Sequence, residues 1–155
     1  MVYRQDILFI WKQLSLVLSS PFVNDIRLTT QLALFLENRP GALARVCDEL
    51  SKSKINILAV STGDTVDYNV IRMVVSNPAL ALRLFQEHGS LAIESEVLLI
   101  EGDNKPGSLG AIARKLSEAG INIDYAYCAT AQKSKTGLLV LRTSNSRKAL
   151  KVLNT

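Results

Sequence analysis

The sequence has few of the residues that catalysis, metal binding and redox chemistry require. It contains one histidine, His88, and two cysteines, Cys47 and Cys128, which lie far apart in the chain. No Cys-x-x-Cys or Cys/His spacing typical of a zinc or redox site occurs, and no Ser/His/Asp set or phosphate-binding loop is present. We therefore predict that the chain is not an enzyme and needs neither a metal nor a cofactor.

An apolar run long enough to cross a bilayer is also missing. Near the N-terminus, apolar residues recur at helical spacing, but Lys12 and Gln13 interrupt them, and Asp6 lies where a signal peptide would be basic. We predict an N-terminal extension over residues 1–28, helical around residues 7–18, and a cytoplasmic protein with no membrane partner. The apolar residues of this stretch are Ile7, Ile10, Trp11, Leu14, Val17 and Leu18.

The composition is that of a folded chain. Apolar residues make up 48% and charged residues 21% of the 155 positions, which is typical of one ordinary domain or two small ones. The net charge is +4, and residues 102–155 hold nine basic residues against three acidic ones. A basic half of this kind suits nucleic acid, but aromatic residues do not alternate with the basic ones. We expect a solvated surface and no nucleic-acid partner.

The dominant feature is a duplicated turn. Asn38-Arg39-Pro40-Gly41-Ala42-Leu43 returns 66 positions later as Asn104-Lys105-Pro106-Gly107-Ser108-Leu109. Each copy follows an apolar run and opens a segment with helical periodicity, so each is predicted to be a strand-to-helix turn. The first amide groups of a helix have no partner within it and lie at the positive end of its dipole. Such a turn can hold a small anion, for example a carboxylate.

The duplication extends well beyond the turn. Ile55-Asn56-Ile57 recurs as Ile121-Asn122-Ile123 at the same offset, which indicates two structural repeats. We predict the order βαββαβ in each repeat, with an antiparallel sheet and both helices on one face. The first helix of each repeat should end at Lys54 and at Gly120. Lys54 would then adopt the left-handed conformation, at a cost on the order of 1 kcal/mol.

The predicted boundaries are 29–95 for the first unit and 96–155 for the second. The first unit should have strands at 30–37, 56–62, 69–76 and 91–94, and the second at 97–100, 122–130 and 137–143. The second unit ends after its second helix and so lacks its own fourth strand. We expect residues 7–18, another protomer or the end of the first unit to cover the open edge.

The two turns and the Ile-Asn-Ile strand starts resemble those of the ACT domain family over roughly residues 30–153. The resemblance implies an α+β fold of two ferredoxin-like ACT units in tandem, which bind small effectors, most often amino acids, between units. It places ligand contacts at the strand-to-helix turns and at the start of the next strand. The residues concerned are Asn38, Arg39, Gly41, Ala42, Leu43, Asn56, Ile57, Asn104, Lys105, Gly107, Ser108, Leu109, Asn122 and Ile123.

The chemistry of these residues suits an amino acid. Backbone amides of the turns could bind its carboxylate, Arg39 or Lys105 could add charge, and the asparagines could bind its ammonium group. Each has a structural alternative: Asn38 and Asn104 could cap helices, Asn56 and Asn122 could satisfy loop backbone, and Arg39 and Lys105 could simply be solvated. The aromatic residues Tyr125 and Tyr127, with Arg72, Asp67 and Tyr68 of the first unit, could line a ligand pocket or pack as core or interface.

These observations predict a non-catalytic regulatory or sensor protein. It would bind an amino acid, form a homodimer, and act on a metabolic enzyme through a ligand-dependent change of arrangement. Two alternatives stay open: a dimerisation module without a ligand, and a nucleic-acid-binding protein built on a similar sheet.

Overall fold

The computed structural model describes residues 23–63 and 68–155, which form six strands and four helices. The α+β fold predicted from the repeat is confirmed. The predicted helix around residues 7–18 lies outside the described residues. The elements are β1 (Val23–Glu37), α1 (Ala42–Lys52), β2 (Ile57–Thr62), β3 (Tyr68–Val75), α2 (Pro78–Glu87), β4 (Leu91–Asp103), α3 (Ser108–Glu118), β5 (Ile123–Ala129), β6 (Thr136–Thr143) and α4 (Ser146–Leu153).

The six described strands form one antiparallel sheet in the order β2-β3-β1-β4-β6-β5. Its centre is a pair of long strands, β1 and β4, which run antiparallel from the Val23/Gly102 pair to the Phe35/Leu91 pair. Along β1, residues 31–37 alone pair with β3. Along β4, residues 98–103 alone pair with β6. Each long strand therefore serves both repeats, one with each half.

This sharing of strands corrects the prediction for the open edge of the second unit. The first half of β1, residues 23–30, pairs with residues 96–102 of β4 and occupies the place of the missing fourth strand. The side of β4 that lacked a partner strand is therefore already paired, and neither residues 7–18, another protomer nor the end of the first unit is needed to cover it. Residues 23–28 belong to the sheet, so a separate extension over all of residues 1–28 is wrong. β4 runs without interruption across the predicted boundary between residues 95 and 96, because the strands predicted at 91–94 and 97–100 are one.

The four described helices cover one face of the sheet and bury two cores. In the first unit, Leu32, Leu34 and Met73 of the sheet pack with Leu50 and Phe85 of the helices. The second unit repeats this arrangement with other residues, namely Leu98, Ile100, Leu116, Leu141 and Leu153. Val23, Ile26 and Leu28 of β1 pack against this second core, as a fourth strand should. None of the helices in the described part of the chain is long and apolar enough to span a membrane.

Both predicted helix ends are confirmed. Lys54 has a φ of 56° and Gly120 has a φ of 68°. In each case the amide of the next residue bonds back to the helix: Ile55 N donates to Leu50 O and Ile121 N donates to Leu116 O, both at 2.9 Å. Lysine in this conformation pays a steric penalty that glycine avoids.

The face without helices closes on itself because the sheet curls. β2 and β5, at opposite edges, contact each other across it. The amide of Gln31, which is buried, donates to Tyr125 OH at 2.6 Å and accepts from Tyr127 OH at 3.0 Å. Arg72 stacks on the ring of Tyr125 at 4.8 Å. Burial, with a further contribution from Tyr125, raises the pKa of Tyr127 well above its usual value, and Arg72 opposes the shift. These side chains hold the curled sheet together.

Candidate functional site

The two predicted turns lie at opposite ends of the sheet. The first follows β1 beyond the Phe35/Leu91 pair, and the second follows β4 beyond the Val23/Gly102 pair. The two pairs lie twelve residue steps apart along β1, from Val23 to Phe35, which at about 3.4 Å per residue is roughly 40 Å. One chain therefore does not bring the two turns together. Each turn is a separate candidate site.

Each turn opens its helix on a glycine rather than on a capping side chain. Gly41 and Gly107 are the N-cap residues of α1 and α3, with φ of 85° and 90°, and neither helix has a side-chain cap. The other two described helices differ: Asn77 caps α2 and Asn145 caps α4 through their side chains.

The left-handed conformation favours glycine. It leaves the first amides of α1 and α3 without a side-chain acceptor, as a carboxylate site would need. Within the turns, Ala42 N donates to Arg39 O at 3.3 Å and Ser108 N donates to Lys105 O at 3.2 Å.

The asparagines of the turns do not cap the helices, so that alternative is wrong. Asn38 Oδ1 accepts a hydrogen bond from Asn69 Nδ2 on β3 at 3.2 Å. Asn104 instead donates through Nδ2 to Ser134 O at 3.0 Å, and its backbone amide donates to Lys135 O at 2.8 Å. Both side chains therefore tie the turn to the neighbouring strand or loop.

The basic residues of the turns are exposed but ion-paired. Arg39 Nε lies 2.9 Å from Glu37 Oε2, and Lys105 Nζ lies 2.6 Å from Asp103 Oδ2. Asp103 is the most buried of the four, with 23% of its side chain exposed. A zwitterion placed here meets a cation and an anion side by side, which suits its own carboxylate and ammonium groups.

A cavity of about 550 Å³ lies at the first turn, beside Leu36, Arg39 and Ala42. The second turn leads into a smaller pocket that reaches the apolar core beneath the helix. The pocket holds about 140 Å³ of free space. One water needs roughly 10–15 Å³ on this measure, so the pocket accepts on the order of ten non-hydrogen atoms, the size of an amino acid. Its lining residues are Ile100, Gly102, Asp103, Asn104, Lys105, Ser108, Leu109, Ile112, Cys128, Thr130, Gly137, Leu138 and Leu139.

Two facing glycines keep this pocket open. Gly102 of β4 lies directly across from Gly137 of β6. In the first unit the same positions hold Leu36 of β1 and Asn69 of β3, which also face each other. Leu36 packs against the first core, and Asn69 bonds to Asn38. At these two facing positions the first unit therefore carries side chains where the second unit has none, although the first turn borders a cavity of its own.

Ser108 adds a polar group to the pocket. Its hydroxyl oxygen is buried and has no hydrogen-bond partner among the described residues. The first unit has Ala42 in this place, buried and apolar. A buried hydroxyl without a partner is unfavourable by about 1–3 kcal/mol, and a ligand that binds it removes this penalty.

Four predicted contacts lie away from the turns. Asn56 bonds to Ser76 and Asn122 bonds to Ser144, at the ends of β2 and β5 distant from the turns. The strand-helix-strand connection is the reason: α1 and α3 carry the chain back by about 16 Å over 11 residues, so the next strand begins one helix length from the turn. Asn56, Ile57, Asn122 and Ile123 therefore do not face the turn of their own unit. In these bonds the backbone amides of Asn56 and Asn122 donate to the serine hydroxyls. The side chain of Asn122 donates to Asp124 Oδ1 at 3.0 Å, so the alternative that it satisfies loop backbone is wrong, and for Asn56 that alternative stays a prediction.

The aromatic residues lie on the other face of the sheet from the pocket. Tyr125 and Tyr127 bond to Gln31, as described above, and do not line the pocket of the second turn. Of the two readings of these tyrosines, a wall of a ligand pocket or packing within the protein, the structure supports packing.

The same duplicated architecture occurs in known proteins. The family model for the ACT domain pair matches residues 28–155. The chain belongs to the ACT domain pair family. ACT domains are regulatory modules, and the matched family model is not that of a catalytic family. No protein of curated function matches the sequence at a significant level.

Solved structures share the fold of this ACT pair. Protein BT0572 from Bacteroides thetaiotaomicron is 30% identical with a TM-score of 0.77, over 83% of this chain and 88% of that one. The ligand-free regulatory subunit of aspartate kinase from Thermus thermophilus is 18% identical with a TM-score of 0.64, over 85% and 97%. The corresponding subunit from Thermus flavus is 19% identical with a TM-score of 0.58, over 86% and 97%.

Proposed function

We propose that this ACT pair is a cytoplasmic, non-catalytic regulatory protein whose effector is an amino acid. The observation that carries the proposal is the uncapped helix start at Gly107, which opens on a pocket of amino-acid size. The amides of Gly107 and Leu109 receive the carboxylate, with Lys105 beside it, and the Ser108 amide joins them by exchanging its 3.2 Å bond to Lys105 O. Asp103 and Asn104 offer acceptors to the ammonium group. The equivalent residues of the first turn are Asn38, Arg39, Gly41, Ala42 and Leu43.

The regulatory mechanism is a shift between arrangements of two ACT pairs. Leu43 and Leu109 are 42% and 46% exposed beside the two turns, so a partner can bury them. A ligand that contacts both its own turn and the partner favours the closed arrangement by its difference in affinity for the two states. A regulated metabolic enzyme then responds to that arrangement. The regulatory subunits of aspartate kinase are similar in fold and give an example of an ACT pair that acts with an enzyme.

A homodimer is the oligomer that we propose. Phe35, Leu91 and Ile93 form an exposed apolar patch on the helix-free face, on the neighbouring strands β1 and β4. The same face at the other end of these strands carries Asp25, Arg27 and Glu101 instead. Exposed apolar side chains next to one another favour self-association. The patch also fits the second candidate function, a dimerisation module without a ligand.

A thermal-shift screen with the twenty amino acids, one at a time, separates the two functions. An amino acid at about 100 times its dissociation constant adds about 2.7 kcal/mol to the free energy of unfolding. For a chain of this length that raises the thermal midpoint by roughly 5–11 °C. An increase with one chemical class of amino acid supports the regulatory function. A midpoint that none of the twenty changes leaves the dimerisation module as the better account.

A further inference from the structure

We infer that two copies of this chain associate through a free sheet edge of the first unit, formed by residues 91–95 of β4. The inference rests on the homodimer of the proposed function and specifies its interface. It comes from the backbone groups that the curled sheet leaves without a partner strand.

The two outer strands of the sheet do not supply this edge. β2 and β5 contact each other across the helix-free face. Ala59 of β2 and Tyr127 of β5 pack against one apolar cluster, that of Val74, Val97 and Val140. Because the sheet curls in this way, the outer edge of each of these strands faces the other strand.

A free edge lies instead on the central strand β4. On the side away from β1, residues 91–97 have no partner strand among the described residues. At Glu96 this edge is closed by a side chain, since Arg142 Nη1 donates to Glu96 O at 3.0 Å. The N–H and C=O groups of alternate residues point to the same side of an antiparallel strand. Those of Ala92 and Glu94 therefore point away from β1, like the carbonyl of Glu96.

The side chains along this edge are apolar on the helix-free face. Leu91 is 61% and Ile93 is 50% exposed, and Phe35, which pairs with Leu91, is 36% exposed. The three together expose on the order of 300 Å², taking roughly 150–250 Å² for a large side chain that is fully exposed. Apolar patches of this size on a folded chain are often functional.

The equivalent edge of the second unit is protected. Among the described residues, residues 23–30 of β1 are also without a partner strand on the side away from β4. The helix-free face of this edge carries the ion pair of Asp25 and Arg27, and its pairing with β4 shifts register between Val23 and Asp25. Charged side chains and irregular pairing block edge-to-edge association in folded proteins. On the same face, the edge of the first unit carries no charge.

A second copy of the same edge is the partner that fits. A strand edge can pair antiparallel with itself about a twofold axis, which makes the interface isologous. With the axis at Ile93, Ala92 of each chain exchanges both backbone hydrogen bonds with the partner's Glu94. Ile93 then meets the partner's Ile93, and the two Glu94 carboxylates are not opposite each other, as like charges on paired strands should not be.

The size of the patch sets the strength of the association. A standard stable interface buries about 800 Å² per partner, and the apolar patch supplies less than half of that area. We therefore expect a reversible dimer in the micromolar range rather than an obligate one. The protected edge of the second unit limits the assembly to two chains.

Analytical ultracentrifugation of the full chain over a wide range of concentrations tests the interface. Ile93→Lys should weaken dimerisation at least about tenfold, because the two lysines lie opposite each other across the axis and replace an apolar contact. Val60→Lys is the matched control. Val60 lies on β2 in the same unit and is 47% exposed, and its substitution should leave the affinity within about twofold.

Amide hydrogen exchange tests the backbone pairing itself. The amides of Ala92 and Glu94 should become protected as the protein concentration rises. The amides of Ile26 and Leu28, at the matching positions of the protected edge, should not respond. Protection of Ala92 and Glu94 at every concentration would mean that the edge is covered within one chain, which overturns the inference.

The outcomes separate this interface from the homodimer itself. A dimer that Ile93→Lys leaves intact, or that Val60→Lys dissociates, overturns the interface and leaves the homodimer standing. A full chain that stays monomeric at every concentration overturns both. If Ile93→Lys does not fold, hydrogen exchange at Ala92 and Glu94 carries the test. The thermal-shift screen for amino acids is independent of all these results.

Discussion

The first half of β1 should stabilise the second unit although it precedes the first unit in the sequence. A chain lacking residues 1–30 tests this, with a chain lacking residues 1–22 as its control. The longer deletion removes Val23, Ile26 and Leu28, which are half-buried against the second core. At about half of the 1.5–3 kcal/mol gained by fully burying such a side chain, the three contribute roughly 2–5 kcal/mol. The loss of strand pairing with β4 adds to this.

Urea denaturation of the two shortened chains measures the difference directly. We expect a chain that begins at residue 31 to be less stable by at least about 2 kcal/mol, because it exposes apolar side chains of β4 that strand β1 now covers. The loss should concern the second unit more than the first, so signals from Tyr125 and Tyr127 should change at the lower urea concentration. Equal stability of the two chains would refute the shared-strand architecture.

Two further predictions concern single residues. Lys54→Gly should stabilise the protein by about 1 kcal/mol and Gly120→Lys should destabilise it by a similar amount, because both positions are left-handed. Urea denaturation measures both changes in the free energy of unfolding. If the two substitutions change it in the same direction, the backbone conformation is not the reason. The raised pKa of Tyr127 favours its neutral form in the folded state. Its contribution to stability is therefore complete below about pH 10 and is lost as the pH rises further, by up to about 1.4 kcal/mol per pH unit. Tyr127→Phe should remove this part of the alkaline destabilisation, and an unchanged pH profile would count against it.

The local structure could be predicted from the sequence because local signals determine it. The 66-residue offset aligned the two turns, and each turn has glycine at the N-cap of the helix that follows. Gly120 occupies the same position in the other copy, which predicts the left-handed conformation of Lys54. These features depend on a few neighbouring residues, so the repeat was sufficient to predict them.

The long-range arrangement could not be predicted in the same way. Residues 23–30 join the second unit by pairing with a strand some 70 positions away, and no local pattern specifies that partner. The antiparallel pairing of β1 with β4 also sends the two turns to opposite ends, which comparison of the repeats alone does not reveal. Asn56 and Asn122 were misplaced for a related reason, since the direction of the crossover helix decides where the next strand begins.

The sequence signal for the pocket lies in the differences between the two copies. The repeat itself is recognised from positions where the copies agree. The open pocket depends on positions where they differ, namely Gly102 against Leu36, Gly137 against Asn69 and Ser108 against Ala42. Differences between copies become informative once the strand register shows which residues face each other.

Backbone amide chemical shifts provide the most direct test of the central claim. An amino acid identified by the thermal screen is added to the labelled protein, and the signals of both turns are followed together. We predict saturable shifts at Gly107, Ser108 and Leu109, because the pocket of the second unit opens at this turn. The absence of shifts at both turns would contradict an amino-acid site at the strand-to-helix turns.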